Sequence, residues 1–109
     1  MSEAYRPTVL IYAHMHYKYV LDAICAGLEE EGVPFECIER RGMAEGLAHE
    51  AAQEAVLRCG IGLCGRRAVM TADGLAEGDA LFATETDWKA LGTNAARMVK
   101  RQRFKEVMA

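Results

Sequence analysis

The chain has 109 residues, of which 51% are hydrophobic and 27% charged, and its net charge is −3. This length suits one domain with one core. The negative net charge argues against nucleic acid as a partner. No apolar run approaches the roughly 20 residues of a membrane-spanning helix. The first seven residues lack the apolar stretch of a signal peptide, so we expect a cytosolic protein. Free thiols are the default there for the four cysteines, which lack zinc-site spacing.

Strand-like and helix-like segments alternate along most of the chain. In chain order, we predict strand 8–13, helix 17–31, strand 33–39, helix 43–58, strands 60–65, 68–72 and 80–84, and a helix from about 87 to about 101. Thr86 or Asp87 would cap this last helix. The β-α-β-α-β start indicates parallel strands with right-handed crossovers. The sequence therefore predicts a single α/β domain over residues 1–109, with helices packed on a mostly parallel sheet of about five strands.

The end of the first predicted helix carries three consecutive carboxylates, Glu29, Glu30 and Glu31. Gly32 suits the left-handed position after a helix, and Pro34 cannot continue one. The negative end of the helix dipole lies there, so each acid costs a few tenths of a kcal/mol. Such an unfavourable arrangement indicates a cation, either a metal ion or a Lys or Arg of another chain. A solvated acidic helix end is the plainer alternative.

A helical wheel separates these acids. One side is an apolar stripe that Glu31 extends, and its members are Tyr17, Leu21, Ile24 and Leu28. Glu30 lies on the far side, which it shares with three small residues, Ala23, Ala26 and Gly27. Another protein could approach this small-residue face closely and meet the carboxylate at its end. We therefore predict an interface there.

Two further motifs are weaker candidates for chemistry. The string Gly60-x-Gly62-x-x-Gly65 matches a dinucleotide fingerprint, but a helix precedes it and a strand follows, which is the wrong context. These glycines favour close helix packing on the third strand instead. His14-x-His16 follows the first strand, at the sheet edge where ligands of α/β proteins bind, and Cys25 or Cys64 could join it around a metal. No nucleophile elbow or zinc-hydrolase motif is present, so we expect no enzyme activity from this chain alone.

Three segments together resemble the small subunit of the diol/glycerol dehydratase reactivating factor. They are residues 27–35, residues 60–64 followed by a short strand and residues 80–82, and residues 92–100. Their order, their spacing and the chain length are similar to that family. The family's proline before the phenylalanine near the C-terminus is absent, because Arg103 precedes Phe104 here.

The resemblance implies a chaperone-like protein that pairs with a large ATPase subunit with Hsp70-like domains. The complex would release damaged cobalamin from an adenosylcobalamin-dependent diol or glycerol dehydratase, with subunit exchange as the mechanism. The resemblance also implies that Glu30 reaches an Mg²⁺ or Ca²⁺ ion held mostly by the large subunit, while this chain alone binds no cofactor. Association with a bacterial microcompartment is compatible with it.

Two alternatives stay open at the level of sequence. One is a medium-subunit-like piece of a cobalamin-dependent dehydratase, although such a subunit normally carries more chain. The other is a free-standing ligand-binding α/β domain that uses His14 and His16. Without a large partner, the small-residue face and open strand edges favour a homo-oligomer.

Overall fold

The computed structural model describes residues 8–75 and 80–108, with side chains described up to residue 100. Within these residues the elements are β1 (Val9–His14), α1 (Lys18–Glu30), β2 (Phe35–Glu39), α2 (Ala44–Glu54), β3 (Cys59–Cys64), β4 (Arg67–Ala72), β5 (Phe82–Thr84) and α3 (Trp88–Met108). The N-terminal segment and the side chains of the basic C-terminal tail lie outside the described residues. No helix in the described ranges is long and apolar enough to cross a membrane.

The described strands form one five-stranded sheet in the order β2-β1-β3-β4-β5. β1 runs parallel to both β2 and β3, whereas β4 and β5 are antiparallel to their neighbours. The α/β class and the number of strands are confirmed, but the sheet is parallel only in its first half. The reason is the turn between β3 and β4, where only Gly65 and Arg66 separate the paired ends. Gly65 has φ +60, which suits a two-residue hairpin turn, and such a turn joins antiparallel strands.

Helices cover both faces of the sheet, with α2 on one face and α1 and α3 on the other. The larger core lies under α1 and α3, and its main members are Val9, Ile11, Val20, Ile24, Leu28, Ile61, Leu63, Met70, Leu91 and Val99. The core under α2 is thinner, and Leu47, Ala48, Ala51 and Ala55 are buried there. Central strand β3 is therefore buried on both faces, as parallel strands with two helical layers usually are.

The glycines of β3 allow α2 to rest directly on the strand backbone. A Cβ atom added at Gly60 would lie 2.7 Å from the carbonyl oxygen of Ala48, and one added at Gly62 would overlap the backbone at Ala44. The predicted role in close helix packing is confirmed for Gly60 and Gly62, whereas Gly65 lies in the turn after β3 and has open space where a Cβ atom would stand. Gly60 and Gly62 lie within the strand rather than in a turn that opens a helix, so the string does not have the geometry of a dinucleotide fingerprint.

A polar clasp joins β1 to α2 on the thinner side of the sheet. The Tyr12 hydroxyl, on a side chain only 2% exposed, donates a hydrogen bond to the Glu54 carboxylate. The Arg40 guanidinium lies 4.3 Å from the Tyr12 ring centroid and pairs with Glu50 at 3.2 Å and with Glu54 at 3.4 Å. Burial, reinforced by the hydrogen bond to Glu54, raises the pKa of Tyr12 to about 12. The clasp therefore favours a neutral phenol.

Helix boundaries differ from the sequence prediction in three main places. α2 ends at Glu54 rather than at residue 58, because the backbone of Ala55 is extended. Tyr17 precedes α1 in an extended conformation and is 52% exposed, so Val20 rather than Tyr17 completes the buried stripe. α3 continues to Met108, so Arg97 and Lys100 lie inside the helix rather than at its end. The predicted N-cap is confirmed at Asp87, whose Oδ1 accepts the Ala90 amide at 3.3 Å.

A candidate partner-binding face on α1 and α3

The C-terminal end of α1 is fixed by a Schellman motif. Gly32, with φ +73, donates its amide to the Glu29 carbonyl at 3.0 Å, and the Val33 amide donates to the Leu28 carbonyl at 3.1 Å. Leu28 and Val33 are both buried in the core beside this turn. The predicted helix end is confirmed, and it places the acidic triplet in the last turn of α1 and the residue that follows it.

Glu31 is the most enclosed acid of the triplet. Its carboxylate pairs with Lys100 at 2.9 Å and with Arg97 at 3.5 Å, and its side chain is 21% exposed. Lys100 also donates to the Glu31 backbone carbonyl at 3.1 Å, which satisfies one of the free acceptors at the helix end. The hydrogen bond from Lys100 is the main reason that the pKa of the Glu31 carboxyl lies below its ordinary value. Glu31 therefore joins α1 to α3.

Glu30 faces solvent beside the first turn of α3. It pairs with the Lys89 ammonium at 2.8 Å, but the two side chains are 59% and 55% exposed. An ion pair this exposed contributes at most about 1 kcal/mol and is easily exchanged. The predicted outward position of Glu30 is confirmed.

The structure adds a source of cations that the sequence analysis did not consider, while a metal ion or a partner cation at Glu30 stays a prediction. For Glu30 and Glu31 this source is α3 of the same chain, since Lys89, Arg97 and Lys100 all pair with them. The signal in the sequence was the helical spacing of these basic residues, which places them on one side of α3. Glu29, the remaining acid, is exposed.

The small residues of α1 do not all face outward. A Cβ atom added at Gly27 would lie 2.7 Å from the Thr93 amide nitrogen, and closer still to the Lys89 carbonyl oxygen. Gly27 is therefore buried against α3, and its predicted place in an intermolecular interface is corrected to an intramolecular contact. Ala23 and Ala26 remain half-buried beside this contact. Their role in an interface stays a prediction.

An aromatic cluster at the start of α1 and α3 was missed by the sequence analysis. The Tyr19 ring lies 5.7 Å from the Tyr17 ring and 5.7 Å from the Trp88 ring, measured between centroids. Trp88 Nε1 donates to the Arg66 carbonyl at 2.8 Å, and the Arg66 guanidinium lies 5.9 Å from the indole centroid. The wheel placed Tyr17 in the core because it counted that residue as helical.

The predicted histidine site receives little support. His14 ends β1 beside Cys64 of β3, and Met15 turns the chain with φ +47. A shallow cleft of about 370 Å³ lies between the ends of β1 and β2, lined by Ala13, His14, Met15, Glu39, Arg40 and Arg41. Nowhere in residues 8–75 and 80–100 do three or more His, Cys, Asp or Glu side chains come together in a way that could hold a metal ion.

The sequence profile of a family described as dehydratase medium subunit matches residues 6–105. That match spans nearly the whole chain, so the protein belongs to the dehydratase medium subunit family.

Comparison with individual proteins gives a narrower similarity than the family match does. The probable glycerol dehydratase-reactivating factor small subunit of Citrobacter freundii is 34% identical over 111 residues, covering 93% of this chain and 95% of the relative. The structure of diol dehydratase-reactivating factor complexed with ADP and Mg²⁺ matches with a TM-score of 0.79 and 27% identity, over 86% of this chain and 93% of that one. A glycerol dehydratase reactivase matches with a TM-score of 0.75 and 30% identity, over 86% and 91%. The resemblance to the small subunit of a dehydratase-reactivating factor is confirmed.

Proposed function

We propose that this chain is the small, non-catalytic subunit of a chaperone-like reactivating factor. Together with a large ATPase subunit, it would release damaged cobalamin from an adenosylcobalamin-dependent diol or glycerol dehydratase. The observation that carries the proposal is the end-to-end match to a reactivating-factor small subunit, which covers 93% of this chain and 95% of that relative. A dehydratase medium subunit is less favoured, because the individual relatives described above are reactivating factors. The proposal places the chain in the cytosol, where its cysteines stay reduced.

Subunit exchange follows from the kinship with a dehydratase subunit. The chain belongs to the family named for the medium subunit of the dehydratase. A protein with the fold of one subunit of an enzyme can occupy the place of that subunit against the others. We infer that this chain takes such a place transiently, which would loosen the dehydratase around its damaged cofactor.

The carboxylate of Glu30 is the group that we propose for contact with the large subunit. It is 59% exposed, and its ion pair with Lys89 lies on the surface, where exchange is easy. One carboxylate supplies one or two oxygens, whereas a hard cation such as Mg²⁺ or Ca²⁺ takes six or more ligands. Glu30 would therefore complete a site whose other ligands belong to the large subunit. Ala23 and Ala26 would lie beside that contact.

The experiment is co-expression with the large subunit encoded in the same genome, followed by size exclusion with and without a chelator. We expect wild-type chain to co-elute with the large subunit, and both Glu30→Gln and chelation to weaken the complex. Glu29→Gln is the matched control, because it removes the same charge from the neighbouring position. Failure of the wild-type chain to bind any large subunit would overturn the proposed function.

Two further outcomes concern Glu30 alone. Behaviour of Glu30→Gln identical to wild type, with and without chelator, would remove this residue as a bridging ligand. A weak mutant complex that is insensitive to the chelator would instead identify an Arg or Lys of the large subunit as the cation. The stability of the isolated chain should be nearly unchanged, because the lost ion pair is exposed.

A further inference from the structure

We propose that the large subunit also docks on the aromatic cluster of Tyr17, Tyr19 and Trp88, and that this cluster contributes more to binding than Glu30 does. The inference rests on the proposed function, since it assigns a second contact to the same partner. The partner surface that fits has apolar side chains with a carboxylate beside them.

The cluster concentrates several of the chain's aromatic side chains at one place on the surface. The sequence contains one Trp and four Tyr, and the Trp and two of the Tyr gather at this single surface position. Tyr17 and Tyr19 are 52% and 53% exposed. Tyr and Trp are the side chains most often found at the energetic centre of protein interfaces. The contacts between the rings and the hydrogen bond from Trp88 to the Arg66 carbonyl hold the cluster in place, so a partner would lose little entropy in binding it.

The cluster is continuous with the predicted contact at Glu30. Tyr19, Ala23, Ala26 and Glu30 follow the i, i+4, i+7, i+11 spacing that places residues on one side of a helix. At 1.5 Å per residue, the two ends of this strip are about 16 Å apart. Within the strip, only the side chains of Ala23 and Ala26 lie between these two ends. The neighbouring α3 residues Trp88 and Lys89 contact the two ends, Tyr19 and Glu30 respectively.

The charged residues at the two ends of the strip indicate how the partner surface is oriented on it. Arg66 is exposed and makes no ion pair with any carboxylate among the described residues, whereas Arg40, Arg58 and Arg67 all do. The strip therefore has the Arg66 cation beside its aromatic end and the exposed ion pair of Glu30 with Lys89 at its other end. A complementary partner presents a carboxylate to Arg66 and a cation, or a bound metal, to Glu30. This pattern distinguishes the docking surface from a simple apolar patch.

The test measures the dissociation constant of the complex with the immobilised large subunit. We expect Tyr19→Ser and Arg66→Glu each to weaken binding at least tenfold, and Glu30→Gln to weaken it less. Val56→Ser is the control, because Val56 is 74% exposed but lies in the turn after α2, which packs on the opposite face of the sheet. Trp88 is left intact because it also packs against the core. Far-ultraviolet circular dichroism and urea unfolding check that each variant is folded.

The outcomes separate this inference from the proposed function. Wild-type binding with Tyr19→Ser and Arg66→Glu both within about twofold of it would overturn the aromatic contact and leave the function standing. Equal loss in Val56→Ser would also overturn it, since the effect would then be generic. A change in self-association of the isolated chain, with binding to the large subunit unaffected, would assign the cluster to a second copy instead. The Tyr19→Ser loss must persist in chelator, because it does not act through the metal.

Discussion

Replacing Gly27 by alanine tests the crossing of α1 and α3, on which the whole candidate face depends. In an exposed helix this change stabilises by about 1 kcal/mol, because alanine loses less backbone entropy than glycine. Here the new methyl carbon would lie 2.7 Å from the Thr93 amide nitrogen and even closer to the Lys89 carbonyl oxygen. Both are backbone atoms of α3 and cannot rotate away. The helices must therefore separate.

The two effects have opposite signs, and their sizes decide the outcome. Insertion of a methyl group into a well-packed contact costs about 1–3 kcal/mol, and the rigid opposing backbone at Gly27 favours the upper end. With the propensity gain subtracted, we expect a net loss of about 2 kcal/mol in the free energy of unfolding. For a domain of this size that corresponds to roughly 8 °C or more in Tm.

The assay is urea unfolding followed by circular dichroism, with Gly32 as the comparison site. Gly32 has φ +73 and open space where a Cβ atom would stand, so Gly32→Ala should lose stability for conformational reasons alone. Gly32→Asn should recover part of that loss, since asparagine tolerates the left-handed region. Gly27→Asn should recover nothing. A Gly27→Ala protein as stable as wild type, or more stable, would refute the close helix crossing.

Three further predictions concern titration and reactivity. Burial and the hydrogen bond to Glu54 raise the pKa of Tyr12 from 10.0 to about 12, so its contribution to stability is complete below pH 10.0 and is lost as the pH rises towards about 12. Ultraviolet titration should show a late phase that is absent in Tyr12→Phe. The pKa of Glu31 is lowered chiefly by Lys100, so the contribution of Glu31 to folding stability is present above the ordinary value of 4.5 and is lost as the pH falls below it. Lys100→Met should therefore reduce the difference between the free energies of urea unfolding at about pH 7 and about pH 4. Cys59 is fully buried, and burial raises its pKa to about 12. Mass spectrometry should therefore find Cys59 unmodified by iodoacetamide in native buffer and modified in urea. Rapid modification in native buffer would contradict its burial.

Local signals predicted much of the fold. The end of α1 could be predicted because Gly32 and Pro34 mark it, and the N-cap of α3 could be predicted because Asp87 suits that position. The antiparallel half of the sheet was missed, although Gly65 and Arg66 leave room only for a hairpin between two strands. The reason is that Gly65 was interpreted together with Gly60 and Gly62 as a site of helix packing, whereas it is a turn residue.

The candidate site shows where local reasoning stops. The wheel placed Glu30 outward correctly, because exposure on one helix follows from its own periodicity. The helical periodicity of α1 does not indicate that α3 crosses it at Gly27, or that Lys89 and Lys100 pair with the acids. These contacts join residues about 60 or more positions apart in sequence. Tyr17 was misplaced by a shift of one residue in the helix start, which moved an exposed ring into the predicted core. Boundary errors of this size matter most where a surface cluster begins.

The central claim is that this chain is required for reactivation of a cobalamin-dependent dehydratase, and the most direct measurement is the return of dehydratase activity. A diol or glycerol dehydratase inactivated during turnover would be incubated with the large subunit, ATP, Mg²⁺ and intact coenzyme, in the presence or absence of this chain. We expect activity to return only when this chain is present. Recovery to the same extent without it, or no recovery when both subunits are bound to each other, would contradict the proposed function.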